Sequence, residues 1–114
     1  MGKLAAIQST DKFFELIEKS SLLAATPLEQ AKQICAENPD PKIAARRLIK
    51  DGLLTTWQAK QLLGGYSGLK FGKYKLLDEL GAGSLSRVYL AEHAQLGRRV
   101  AIKALARRHT QQAD

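Results

Sequence analysis

Apolar positions in the first sixty residues recur every three or four places, the spacing that lines one side of a helix. That spacing predicts four short helices between Ser9 and Leu63. The first runs from about Asp11 to Lys19, opened by Ser9 or Thr10, with Phe13, Leu16 and Ile17 on one face. The second starts at Thr26-Pro27-Leu28-Glu29. There Thr26 offers an acceptor to an orphan N–H, Pro27 takes the first helical position where no N–H is needed, and Glu29 reaches back to Thr26. The third follows Asn38-Pro39-Asp40-Pro41, again a cap and then a proline. The fourth opens at Thr55, with Gln58 three residues on completing a capping box. Each such cap contributes about 1 kcal/mol.

The helices come in two similar pairs. Leu16-Ile17-Glu18-Lys19-Ser20-Ser21-Leu22-Leu23 parallels Leu48-Ile49-Lys50-Asp51-Gly52-Leu53-Leu54. A threonine follows each, and then Gln30-Ala31-Lys32-Gln33-Ile34 parallels Gln58-Ala59-Lys60-Gln61-Leu62. A helical hairpin of this size cannot bury its apolar face alone, so the repeat predicts two hairpins packed on each other.

After Leu63 the pattern changes. Residues 65–73 are rich in glycine and read as a linker. Tyr74 to Leu80 reads as extended, Tyr89 to His93 as a second strand, Ala94 to Gly97 as a turn, and Arg98 to Leu105 as a third strand. Val88 and Leu90 alternate with Arg87 and Tyr89, and Val100 and Ile102 alternate with Ala101 and Lys103. Period-two alternation of this kind predicts an antiparallel meander. The fold class is therefore α+β: a four-helix module over 9–64, a linker over 65–73, and a three-stranded antiparallel sheet within 74–114.

Composition narrows what such a chain does. Its 114 residues are 45% hydrophobic and 25% charged, values of a globular rather than a disordered chain. No apolar run approaches the ~20 residues that span a bilayer, and the N-terminal apolar stretch is too short for a secretory signal. One cysteine, Cys35, excludes an internal disulfide, and with two separated histidines it excludes an ordinary zinc site, so no metal site is expected. The expected compartment is the cytoplasm. The net charge of +7 is uneven: residues 1–64 carry nine basic and seven acidic side chains, residues 65–114 nine and four. A basic second half suits an anionic partner such as nucleotide phosphate, nucleic acid or an acidic surface.

Within the helical half, Lys42, Arg46 and Lys50 recur at i, i+4 and i+8 beside Arg47. The stripe reads as a solvated face, because no base-reading set accompanies it and nucleic acid is not expected as a partner. Trp57 reads as packing between the hairpins and Cys35 as a small buried hydrophobe.

The chemistry concentrates in Gly81-Ala82-Gly83-Ser84-Leu85-Ser86-Arg87-Val88. A dinucleotide-binding glycine loop opens a helix. Here Val88, Tyr89 and Leu90 follow in a strand pattern, so the loop joins two strands, and Val100-Ala101-Ile102-Lys103 places a lysine on the next one. A strand–loop–strand with that lysine is how a kinase covers the phosphates of ATP.

Residues 71–105 accordingly resemble the start of a protein kinase N-lobe. Gly52-Leu53-Leu54-Thr55-Thr56-Trp57-Gln58-Ala59 running into Phe71-Gly72-Lys73-Tyr74 is similar to the preface of eukaryotic-like Ser/Thr kinases of planctomycete bacteria. The resemblance covers roughly residues 12–106. It implies ATP as the ligand, with magnesium in a complete kinase. It also implies that Gly81 and Gly83 admit the phosphates to the backbone, that Leu80, Val88 and Ala101 line the adenine slot, and that Lys103 holds the α- and β-phosphates. The family's third glycine is Ser86 here, which adds bulk and restricts the loop.

Phosphoryl transfer further needs a glutamate paired to that lysine, a catalytic aspartate and metal-binding residues. No His-Arg-Asp or Asp-Phe-Gly occurs, and Ala104 to Asp114 are all that follow Lys103. The resemblance thus implies an N-terminal kinase segment, inactive alone, with no catalytic residue in this chain. The alternative reading is a non-catalytic module whose helices bind a protein partner or self-associate, and behind it stands a nucleic-acid binder using the stripe on Lys42, Arg46 and Lys50.

Overall fold

The computed structural model describes residues 9–105. It holds four helices, α1 (Thr10–Ser20), α2 (Ala25–Glu37), α3 (Pro41–Lys50) and α4 (Thr56–Leu63), followed by strands β1 (Lys70–Phe71), β2 (Tyr74–Ala82), β3 (Ser86–His93) and β4 (Arg99–Leu105). The class is α+β. The chain divides into two compact units between Lys70 and Phe71.

Three helices start where their polar residues place them. Ser9 is the cap of α1, its Oγ accepting the Lys12 N–H at 3.0 Å. Asp40 caps α3 through the Lys42 N–H at 3.0 Å, with Pro41 in the first turn. At α4 both halves of the capping box form: the Gln58 N–H donates to Thr55 Oγ1 at 3.0 Å, and the Thr55 N–H to Gln58 Oε1 at 2.9 Å.

The second helix corrects the expectation. It begins at Ala25, and Ala24 precedes it without any side-chain cap. Thr26 and Pro27 lie inside the first turn, and the first helical bond runs from the Leu28 N–H to the Ala24 carbonyl at 2.9 Å. Proline is as harmless at the third position as at the first, since none of the first N–H groups has an intrahelical acceptor. Proline therefore does not mark the start to the residue.

The core lies within the helical unit. Phe13, Ile17, Leu22, Leu48 and Leu62 are fully buried, and Ala31, Ala44 and Ala59 are small enough to let helix backbones approach. Helices α1–α2, α2–α3, α3–α4 and α4–α1 are neighbours, which sets α1 and α3 diagonally across the bundle, where they also touch. Trp57 packs against this core, half-buried. Thr10 Oγ1 donates to the Asn38 carbonyl at 2.8 Å, tying the start of α1 to the end of α2.

Both repeats bury Leu16 with Leu48, Ala31 with Ala59, and Ile34 with Leu62, whereas of the paired leucines in the turn the first repeat buries Leu22 and the second Leu54, the leucine one place further on. Their turns differ by one residue. Ser21 takes the left-handed conformation at φ 59° in the first, and Gly52 takes it at φ 78° in the second. Around Gly52 the Leu53 N–H reaches the Leu48 carbonyl at 2.9 Å and the Gly52 N–H reaches that of Ile49 at 3.0 Å, the paired bonds of a Schellman ending.

The sheet has four strands in the order β1-β2-β3-β4, with β2–β3 and β3–β4 antiparallel, one strand more than the alternation predicts. The extra strand is the pair Lys70–Phe71, too short for any periodicity, turned by Gly72 at φ 61°. The glycine-rich stretch read as a linker holds further order. The Tyr66 N–H donates to the Gln61 carbonyl at 2.9 Å, and Leu69 is buried in the helical core. Two irregularities interrupt β2, at Leu77 and at Leu80. The β3–β4 turn is closed by His93, whose Nδ1 accepts from the N–H groups of Gln95 and Leu96, and by Gly97 at φ 71°.

Among the described residues no helix is long and apolar enough to cross a membrane. The sheet buries only Leu76 and Ala91 below the surface, while Leu80, Leu85, Leu96 and Leu105 stand exposed.

Two measurements follow. Thr55→Ala is expected to lower the stability of the helical unit by about 1 kcal/mol in urea denaturation. Thr26→Ala, which removes no cap, is expected to stay within about 0.5 kcal/mol. In amide exchange, the helical core around Phe13, Leu48 and Leu62 is expected to hold the strongest protection. Val88–Leu90 and Val100–Ile102 exchange faster, because small sheets with little burial are marginal.

Candidate functional site

The glycine loop is a hairpin between two strands. Its last cross-strand pair is Ala82 with Arg87, the Gly83 N–H donates to the Ser86 carbonyl at 2.7 Å, and Ser84 and Leu85 form the exposed tip. The chain leaves the loop straight into β3, not into a helix.

Register decides which side chains meet. Gly81 pairs with Val88, and Val88 with Lys103, so these three form one row across β2, β3 and β4. The next row on that face pairs Leu90 with Ala101, and at the loop end Ser86 pairs with Leu105. Directly paired residues share a face, and alternate residues return to it. Val88, Ala101 and Lys103 therefore project from one side of the sheet, with the side-chain-free backbone of Gly81 completing the row. Leu80 sits in the irregularity before Gly81, has no partner on β3, and is 57% exposed. The opposite face carries Glu79, Arg87, Tyr89 and Ile102, with Arg87 and Glu79 paired at 3.2 Å.

Neither loop glycine adopts positive φ. A Cβ at Gly81 would meet nothing within 4 Å, and one at Gly83 would meet only Ser86, at 3.9 Å. The chain's own packing thus permits a side chain at both positions; glycine leaves bare backbone facing outward, which suits a ligand that comes close to it. The donors are distributed differently from the expectation that the glycines present them. The Gly83 N–H is taken by Ser86, whereas among the described residues no protein acceptor engages the N–H of Ser84 or Leu85.

Lys103 is exposed and, among the described residues, belongs to no ion pair. Among those residues no carboxylate engages its ammonium, a point charge suited to meeting an anion. A concavity of about 280 Å³ lies under the loop, lined by residues 83–86 with Arg87, Tyr89, Ala104 and Leu105. Of the seven residues singled out from the sequence, only Gly83 and Ser86 line it. Val88, Ala101 and Lys103 lie outside it, on the open face, and nothing in the sheet supplies an opposing wall for them.

Elsewhere the chemistry is quiet. Among the described residues no group of three His, Cys, Asp or Glu side chains is placed to hold a metal. The Lys42, Arg46 and Lys50 side chains are exposed along α3. Cys35 is buried, and burial, with the nearby Asp11 charge, pushes its thiol from 9.0 to about 11.

Sequence reasoning missed both breaks in β2. The first, at Leu77, has one trace in the sequence, the adjacent pair Leu76-Leu77, which violates strict alternation. Nothing in the sequence marks the second break, at Leu80.

No family model matches the chain, and neither a curated protein nor a solved structure does.

Cys35 gives a prediction with a definite sign. The folded state holds the thiol proton more tightly than the unfolded chain, so stability is expected to fall as pH rises from about 9 towards 11. Cys35→Ala removes that dependence in denaturation curves taken across the range. At neutral pH the folded chain is expected to react with a thiol reagent at least roughly ten-fold more slowly than the urea-unfolded chain.

Proposed function

We propose that residues 74–105 are the phosphate-binding strands of a protein-kinase-like N-lobe and that their ligand is ATP. The observation that carries the reading is the row Gly81–Val88–Lys103, which puts on one face the bare loop backbone, an apolar side chain and an ammonium that joins no ion pair among the described residues. In this reading Lys103 meets the α- and β-phosphates. The N–H groups of Ser84 and Leu85 offer donors at the loop tip, as successive backbone amides do in anion-binding loops. Val88 and Ala101 form the apolar floor on which a base rests, with Leu80 beside them at the loop's root. The Ser86 carbonyl closes the tip as a hairpin, a backbone bond that serine in place of a third glycine leaves intact, and Ser86 is half-buried rather than standing over the outer side.

Bound magnesium would neutralise phosphate charge, as in complete kinases. None of the 114 residues forms the catalytic or metal-binding motifs of that family. The reading is therefore nucleotide contact without phosphoryl transfer by this chain. A buried free cysteine and the lack of a membrane-crossing helix among the described residues support a cytoplasmic location.

A second reading has its own support. The helical unit has a closed core and its own caps, so it is built to fold without the sheet, which suits a module that docks a protein partner.

Titration of Mg-ATP into the full chain, followed by backbone amide shifts, tests the first reading. Shifts are expected at residues 81–88 and 101–103. Lys103→Met is expected to weaken binding about ten-fold, the loss of one charge-assisted contact. Gly81→Val, for which the fold has room, is expected to weaken binding with the helical unit unchanged. Equal binding by the wild-type chain and the Lys103→Met variant would remove the nucleotide reading.

A further inference from the structure

The two repeats of the helical unit carry opposite charges at equivalent positions. Aligning the buried Leu16 with Leu48 sets Glu15 on Arg47, Glu18 on Lys50 and Lys19 on Asp51. The outer face of α1 presents Asp11, Glu15 and Glu18, and that of α3 presents Lys42, Arg46 and Lys50. All six are exposed. Within each helix the spacing of four, then three or four, keeps the charges on one side.

Intramolecular pairing leaves most of these charges unused. Glu15 has Lys12 at 3.3 Å on its own helix; among the described residues Asp11, Glu18, Lys42, Arg46 and Lys50 join no ion pair. The exposed Ile43, 49% accessible, lies beside the basic stripe, as the half-buried Phe14 lies beside the acidic one. Because α1 and α3 stand on the diagonal of the bundle, the two stripes face away from each other. No single copy can bring them together.

We propose that the acidic face of α1 is the docking surface for the basic face of α3 from a second copy of this chain. Antiparallel docking sets Glu15 against Arg46, Glu18 against Lys42 and Asp11 towards Lys50, and it opposes the two helix dipoles favourably. The helices have eleven and ten residues, so the stripes match in length. The contact joins two different surfaces on opposite sides of the unit. It is therefore heterologous and adds copies in a row rather than stopping at a dimer. Exposed pairs of this kind give a weak, reversible association, sensitive to salt.

Charge exchange on the full chain tests it without touching the core. Sedimentation velocity over a concentration series is expected to show wild-type mass rising past that of a dimer. Glu15→Lys with Glu18→Lys is expected to remain monomeric, and so is Lys42→Glu with Arg46→Glu. The second variant lowers the net positive charge, so its failure to associate separates local pairing from overall repulsion. Mixing the two variants is expected to restore association, because each then offers the surface the other needs. Three results would overturn the proposal: a wild-type chain monomeric throughout the series, association that survives either double substitution, or a mixture that stays monomeric. Capture of a DNA duplex by the basic face of a chain that does not self-associate would also overturn it and give the surface to nucleic acid.

Discussion

The antiparallel register of β2, β3 and β4 is the constraint on which the nucleotide reading rests. Side chains alternate between faces with a period of two, so a slip of one residue between β3 and β4 would send Lys103 to the face of Arg87 and Tyr89. The register is held at both ends. The Gly83–Ser86 bond closes the first hairpin, and the His93 N–H bond to the Arg98 carbonyl, at 2.8 Å, closes the second. Between them, the breaks at Leu77 and Leu80 each insert one residue into β2, and the second brings Gly81 opposite Val88. Bulges of this kind bend a strand and redirect its residues, which is their use beside binding loops. Glu79 and Arg87 brace the opposite face across the same hairpin.

The two units meet folding in different ways. The helical unit surrounds Phe13, Ile17, Leu48 and Leu62 with apolar neighbours and closes helix ends with Ser9, Asp40, Thr55 and Gly52. The sheet has no such interior: its strands pair along most of their length, but Leu80, Leu85 and Leu105 face solvent, Leu105 being 62% exposed. Backbone pairing alone gives little net stability in water, because unfolded amides are bonded to water as well. A surface that is to receive a ligand cannot also be filled by the protein's own side chains. The openness that makes the sheet marginal is the same openness that leaves Lys103 and the row beside it accessible.

Legibility in the sequence followed the range of the interactions. Caps are local: Ser9, Asp40 and Thr55 act within three residues of themselves, and their helices start where the residue types indicate. The start of α2 was not legible, because its Thr-Pro pair fits two positions of a first turn and nothing local chooses between them. The repeat was legible because burial at Leu16 and Leu48, or at Ala31 and Ala59, rewards the same residue types twice. Strand β1 was not, since two residues among glycines carry no period. At the candidate site, alternation gave the faces within each strand but not the register between strands, which pairs Val88 with Lys103 and Leu90 with Ala101 rather than with Ile102 and Val100. The hairpin bond that occupies the Gly83 N–H was illegible, since it depends on tertiary geometry at the loop tip rather than on residue type.

The glycines themselves separate what folding needs from what it does not. Gly52, Gly72 and Gly97 have φ between 61° and 78°, a region costly for a residue with a Cβ, and each ends a helix or turns a hairpin. The fold demands them. Gly81 and Gly83 lie outside that region, and the space a Cβ would occupy is open or nearly so. A glycine in a strand weakens the strand and forgoes a packing contact, so Gly81, inside β2, is a cost without a structural return, and Gly83 in the loop beyond it meets no need for positive φ. Local rules broken with no compensation inside the molecule are expected where something from outside approaches the chain. On that physical ground the backbone at 81–83 is the part of this surface whose glycines the chain's own packing does not explain, which is why the proposed ligand is placed there.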